Sequence, residues 1–302
     1  MPIGSCRCVR GDWVRLSQLA QILRQHAAPA AQSRNTASAC DDSAMLIDTH
    51  CHLDAAEFDE DRDAVVQRAV HAGVSRIVVP AVERGNFAAV RALAQRHDSV
   101  RFALGIHPLC VDRAHDDDLL ALRTAVAAAM AEPAFVGVGE IGLDRFVPVQ
   151  DPVRHERFFV EQLRIARDFD LPVILHVRRA QDIVLKHLRR MGVRGGIAHA
   201  FNGSAQQAGQ FIELGFVLGF GGAMSFERAL QIRRLAAGFD ASAYVLETDA
   251  PDIAPAWRWR ARNAPEELAP IAEVFAELRQ VRLDQVILQT GVNARRVLPR
   301  LQ

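Results

Sequence analysis

Leu46-Ile47-Asp48-Thr49-His50-Cys51-His52 opens a strand: a short apolar run passes directly into polar residues, without helical spacing. A longer stretch at helical spacing, near 58–72, follows it, and the same strand-then-helix pair recurs along the chain. Strands are expected near 46–51, 75–82, 100–106, 135–141, 172–177, 196–201, 215–220 and 243–248. Helices are expected near 58–72, 83–97, 116–131, 153–169, 180–191, 204–214, 225–237 and 266–279. Pro172 at a strand start and Gly73, Gly192 and Gly215 just past helices supply the punctuation such units need. Eight β-then-α units predict an α/β fold, a closed (β/α)8 TIM barrel of parallel strands, in one domain over 45–302. An open doubly wound sheet would need a glycine-rich turn opening a helix. Gly137-Val-Gly-Glu-Ile-Gly142 has the wrong interval and lies inside a strand.

Upstream of Met45, residues 1–44 are rich in small and polar types and lack sustained periodicity, apart from a short amphipathic pattern from Leu16 to Leu23. They are expected to form an unstructured or weakly structured extension, and Met45 is an alternative translation start. The chain as a whole has 302 residues, 50% hydrophobic and 24% charged, which excludes disorder or a fibre. Lys+Arg 36 against Asp+Glu 36 leaves a net charge of 0, so no global field draws it to nucleic acid or anionic lipid. The extension carries five arginines and three aspartates, 5 − 3 = +2, leaving −2 for the barrel. No run approaches the roughly 18 apolar residues of a membrane span, and no signal-peptide pattern opens the chain, so a cytoplasmic address is expected. Cys6, Cys8, Cys40, Cys51 and Cys110 are an odd set without CxxC spacing, which argues against disulfides or a cysteine zinc site.

In a parallel barrel the active site forms at the C-terminal strand ends. Here those ends read Asp48-Thr-His50-Cys-His52, Gly105-Ile-His107-Pro, Gly139-Glu140-Ile-Gly142-Leu-Asp144, His176-Val-Arg178, His199-Ala-Phe-Asn-Gly203 and Glu247-Thr-Asp249-Ala-Pro251. His50 and His52, two apart on a strand, project to one face, which is chelating geometry. With Glu140, His176, His199 and Asp249 they make six candidate ligands, more than one tetrahedral ion requires, and so favour two ions. A lone histidine at any of these positions would read as a hydrogen-bonded core residue; the set does not.

These motifs, with Arg262-Asn263-Ala-Pro265 and Asn293-Ala-Arg-Arg, occur in an order and spacing that resembles the TatD family of metal-dependent deoxyribonucleases over essentially all of Met45 to Gln302. The resemblance implies a metal-dependent hydrolase cleaving phosphodiester bonds of DNA, a 3′–5′ exodeoxyribonuclease acting on single strands or 3′ ends through a metal-activated water. His50, His52 and Asp249 would hold one divalent ion, His176 and His199 the second, and Glu140 would bridge; magnesium, manganese or zinc would serve. The chain departs from the family's usual residues at Leu109, Arg145-Phe146 and Asp252, on loops that would meet substrate.

Asp249 is the expected proton acceptor, Glu140 the bridge, and His107 a contact to phosphate or leaving group. Arg178, two residues past His176, is expected to hold phosphate oxygens. Trp257-Arg-Trp259-Arg260-Ala-Arg262 is the one aromatic and basic cluster, and Trp257, Trp259 and Arg260 are expected to bind a single strand. No membrane and no obligate protein partner are inferred. Two alternatives stand beside the nuclease. One is an ester or amide hydrolase, such as a D-aminoacyl-tRNA deacylase; the other is a non-catalytic metal-binding scaffold. Amidohydrolases that bridge their metals with a carboxylated lysine on strand four are disfavoured, because Lys186, the only lysine, lies in a helix after strand five.

Overall fold

The computed structural model describes residues 45–301; the extension over 1–44, with its short helical pattern, lies outside the described residues. The apolar runs form eight strands: β1 (Leu46–Asp48), β2 (Val74–Pro80), β3 (Val100–Leu104), β4 (Phe135–Asp144), β5 (Val173–Arg178), β6 (Gly196–Ala198), β7 (Phe216–Phe220) and β8 (Tyr244–Leu246). They pair in parallel in chain order, β1 next to β2 through to β7 next to β8. Between β8 and β1 the ring is drawn together by Thr49 N–H donating to Leu246 O at 3.1 Å and Asp249 N–H donating to His50 O at 2.8 Å. This is the (β/α)8 TIM barrel expected from the sequence.

Helices α1 (Arg62–His71), α2 (Phe87–Arg96), α3 (Asp117–Ala129), α4 (Pro152–Asp168), α5 (Gln181–Met191), α6 (Ala205–Glu213), α7 (Leu230–Gly238) and α8 (Leu268–Arg279) follow the strands in turn. Each buries one stripe; on α5 it is Val184, Leu185 and Leu188. Gly192 ends α5 at φ 62°, a left-handed conformation that suits glycine. None of the helices among the described residues is long and apolar enough to cross a membrane.

One residue from every strand (Ile47, Val78, Ala103, Val136, Ile174, Ile197, Val217 and Val245) joins Ala294, Val297, Leu298 and Leu301 in a single buried cluster. The last four belong to or follow α9 (Leu283–Val297), a ninth helix that the sequence reading omits. Its buried Val286, Thr290, Ala294 and Val297 keep helical spacing, but Thr290, Gly291 and Asn293 interrupt the apolar stripe. Asn293 is buried because its amide donates to Ala241 O and Tyr244 O at 2.7 Å each, tying α9 to the start of β8. Asn293→Ala would remove the donor from the buried Tyr244 carbonyl and from the partly buried Ala241 carbonyl. It is expected to lower unfolding free energy by about 2–4 kcal/mol, measured by urea denaturation.

Several strand boundaries differ from expectation. Those expected to run to 51, 201 and 248 stop as regular ladder at Asp48, Ala198 and Leu246. The chain beyond them continues on single hydrogen bonds, such as Cys51 N–H to Val78 O and Phe201 N–H to Gly219 O, while it turns toward the barrel mouth. β4 instead runs to Asp144, past its expected end at 141. Gly142 permits this: its φ is 151° and a Cβ there would sit 1.9 Å from His176 O, so only glycine lets β4 stay paired to β5 as far as Asp144 opposite Arg178.

Candidate metal centre

The mouth of the barrel gathers polar residues that the sequence scatters over 200 positions. Glu140, from β4, is 1% exposed and sits at the centre. Its Oε2 lies 3.2 Å from His50 Nε2 and 3.3 Å from His52 Nε2, from the segment after β1. Its Oε1 lies 2.9 Å from His176 Nδ1, 2.9 Å from His199 Nε2 and 3.3 Å from His107 Nε2, from β5 and the segments after β6 and β3. Asp249, after β8, stands 3.6 Å from His50 and 3.7 Å from His52. His50 and His199 stack with centroids 3.8 Å apart. The six candidate ligands therefore converge, and a seventh group, His107, converges with them.

Two imidazoles have further carboxylate partners. His176 Nε2 is 3.0 Å from Asp144 Oδ2, and His199 Nδ1 is 3.6 Å from Glu247 Oε1. Neither is among the candidate site residues expected from the sequence. The available signal was period two: Glu247 shares a strand face with Asp249, and Asp144 closes the Gly-Glu-Ile-Gly-Leu-Asp motif. The turn carrying Asp249 is held by Asn263, fully buried, whose amide donates to Thr248 O and Asp252 O at 2.8 Å each.

Burial and mutual charge set the protonation states. Burial pushes Glu140 upward, but the surrounding His107, His199 and His50 imidazoles outweigh it and hold the carboxyl well below its usual range. Burial, with the like-charged neighbour His199, drives His50 down. For His52 burial acts downward too, yet Glu140, Asp249 and Asp54 carry it up to about 9. Asp249 is pushed up to about 6 by burial, against the pull of His199 and His52.

Three groups place donor atoms within 4.8 Å of one another: His50, His52 and Asp249; His50, Glu140 and His199; and His107, Glu140 and His176. Imidazole with carboxylate is the donor chemistry of zinc, manganese and related divalent ions. Glu140 Oε2 and His50 Nδ1 are buried without a hydrogen-bond partner among the described residues, and a cation against Oε2 would offset that cost. The residues thus fit bound divalent ions. His107 is the weakest donor of the set. Its Nδ1 accepts the Leu109 N–H at 3.1 Å, so the neutral ring carries its proton on Nε2, the atom facing Glu140. An Nε2–H donates a hydrogen bond and cannot ligate.

The centre opens into a cleft of about 860 Å³ lined by His52, His107, Glu140, His176, His199 and Asp249. Arg178 lines it too, its guanidinium 3.7 Å from the centroid of Phe146. The aromatic and basic cluster divides. Trp259 and Arg260 line an adjoining groove. Trp257 lines neither cavity; its indole N–H donates to Glu267 Oε2 at 2.7 Å.

A family model described as "TatD related DNase" matches residues 47–299. The chain is 42% identical over 242 residues to the uncharacterized metal-dependent hydrolase YjjV of Escherichia coli, covering 80% of this chain and 93% of that protein. The crystal structure of YjjV, a TatD homolog, superposes with a TM-score of 0.80 at 39% identity, covering 85% of this chain and 99% of that one. Human deoxyribonuclease TATDN3 is 30% identical over 266 residues, 85% of this chain and 96% of that protein.

Proposed function

The chain belongs to the TatD family of metal-dependent hydrolases, and from that premise we propose that it cleaves phosphodiester bonds of DNA at a site for two divalent ions. The single observation that carries the reading is the division of Glu140: one oxygen faces His50 and His52, the other His176 and His199. A carboxylate so placed suits a bridge. In this reading His50, His52 and Asp249 hold one ion, and His176 and His199 the other; magnesium, manganese or zinc each fit the donors. When bound, such ions supply an acidified water and neutralise charge on the phosphate.

The protein's own groups do the rest. Asp249, with its carboxyl pushed up to about 6, takes a proton near neutral pH. His107, protonated on Nε2, donates to a phosphate oxygen or the leaving group. Arg178, braced on Phe146, grips phosphate oxygens. Trp259 and Arg260 meet the strand beside the cleft, and Trp257, bonded to Glu267, holds their loop. The substrate is DNA with a single-stranded or frayed 3′ end, cut from 3′ to 5′. The supporting likeness is to the family described as DNases and to the human deoxyribonuclease.

Asp54, Glu57 and Asp252 also line the cleft and favour a second reading, an ester whose acyl part carries an ammonium group, such as a D-aminoacyl-tRNA. The test is purified protein assayed with single-stranded DNA, duplex DNA and aminoacyl esters, with and without chelator. Chelator-sensitive release of nucleotides from a 3′ end is expected. Ester hydrolysis without any phosphodiester cleavage would replace this reading with the second. Asp144→Asn, which removes the carboxylate behind His176, is expected to weaken metal binding about 10- to 100-fold by titration calorimetry.

A further inference from the structure

Beside the cleft lies a second groove of about 600 Å³, and the two cavities share Ala223, Ile232, Pro251, Asp252 and Ile253 as a common wall. The far side of this groove is aromatic and basic. Phe226 and Trp259 meet edge to face with centroids 5.5 Å apart, and Trp259 is 59% exposed. Arg228 and Arg260 line the same groove. Arg258 and Arg262 nearby are committed to Glu267 and Asp61, whereas no described carboxylate pairs with Arg228 or Arg260. At the divide, Ile253 keeps an exposed apolar side chain on a backbone with φ 44°, a conformation that β-branched residues rarely adopt.

We infer that this groove is a base-stacking subsite for the nucleotide adjoining the scissile phosphodiester, its base on Trp259 and its phosphate against Arg228 and Arg260. The inference rests on the phosphodiesterase reading. Phe226 packs against Trp259 at near right angles, and the indole, 59% exposed, keeps surface for a flat, neutral partner. Charge then sorts the nucleotide. Asp252 repels a phosphate from the shared wall, so the base runs along Asp252 and Ile253 while the backbone runs along the two uncommitted arginines. A base inside a duplex cannot reach this surface without unpairing, so the subsite selects single strands or frayed ends. Because groove and cleft share a wall, two adjacent nucleotides form the complete ligand, and one nucleotide does not.

The test is binding of phosphorothioate-linked thymidylates of one, two and three nucleotides to the full chain, followed by fluorescence anisotropy. Adding the second nucleotide is expected to tighten binding roughly 5- to 150-fold, the range base–aromatic stacking sustains. Trp259→Ala is expected to remove that gain, and Trp259→Phe, which keeps a stacking face, to restore most of it. A gain that survives Trp259→Ala, or wild-type protein showing none, overturns the subsite. Turnover of bis(p-nitrophenyl) phosphate by the wild type judges the underlying reading separately. No turnover, with Trp259-dependent length discrimination intact, would discard the phosphodiesterase and keep a nucleotide-binding groove.

Discussion

Glu140→Ala is expected to reduce phosphodiester hydrolysis on the order of 10³-fold or more, and to lower the metal content of purified protein. The size follows from position. One carboxylate lies within 3.3 Å of five imidazoles, at 1% exposure, whereas Asp249, Asp144 and Glu247 each approach only one or two of them. A factor of 10³ corresponds to about 4 kcal/mol of transition-state stabilisation. Without that charge the imidazoles face one another across a gap in a low-dielectric site, and any bound cation loses its shared anion. Glu140→Gln separates charge from shape: it retains an oxygen and fills the space, so a defect close to that of Glu140→Ala would assign the effect to charge. Metal analysis and rates are read on the same preparations. Normal metal content with a normal rate in Glu140→Ala would show that the carboxylate bridges nothing.

Asp249→Asn is expected to cost roughly 10²- to 10⁴-fold in kcat and to change the shape of the pH profile. The sign follows from the direction of the shift. Burial pushes the carboxyl up to about 6 from its ordinary 3.8, and a cation held at Asp249 would draw it down again, so the proton-accepting carboxylate is lost at or below about pH 6. The wild-type rate should therefore fall by up to tenfold per pH unit on the acid side of that range. The asparagine variant lacks this carboxyl, and its residual rate should lack that limb. A limb unchanged in the variant would move proton acceptance to another group and leave Asp249 a ligand only. Metal occupancy measured in parallel separates loss of the base from loss of the ion.

The histidines after β1 were legible because a two-residue interval on extended chain puts both side chains on one face whatever the rest of the fold does. Glu140, His176, His199 and Asp249 were legible as strand-end residues once eight units had been counted. Asp144 was not, because its role depends on β4 staying paired to β5 beyond 141, and that depends on the room Gly142 leaves beside His176. His107 illustrates the same limit at one atom. Its motif names a polar group at the mouth, but only the Leu109 N–H on Nδ1 makes its other nitrogen a donor.

Trp257 and Trp259 show how spacing can mislead. Two positions apart in an irregular loop, they read as one stacking surface, yet Trp257 sits inside the short helical turn Ala256–Arg258 with its indole on Glu267, while Trp259 follows the turn and packs on Phe226. α9 was missed for a related reason: its polar Asn293 is a core residue only because carbonyls of the β8 approach await it.

The sequence by itself determined the barrel, the end of it that carries chemistry and the residue types gathered there, because hydrophobic period and strand-end position are properties of neighbours along one element. Only the tertiary structure decided which oxygen of Glu140 meets which histidine, that Asp144 and Glu247 stand behind two of them, and that a groove lined by Trp259 opens beside the cleft. Those are relations between elements far apart in the chain, and they are set by strand register and loop path, which no local spacing encodes.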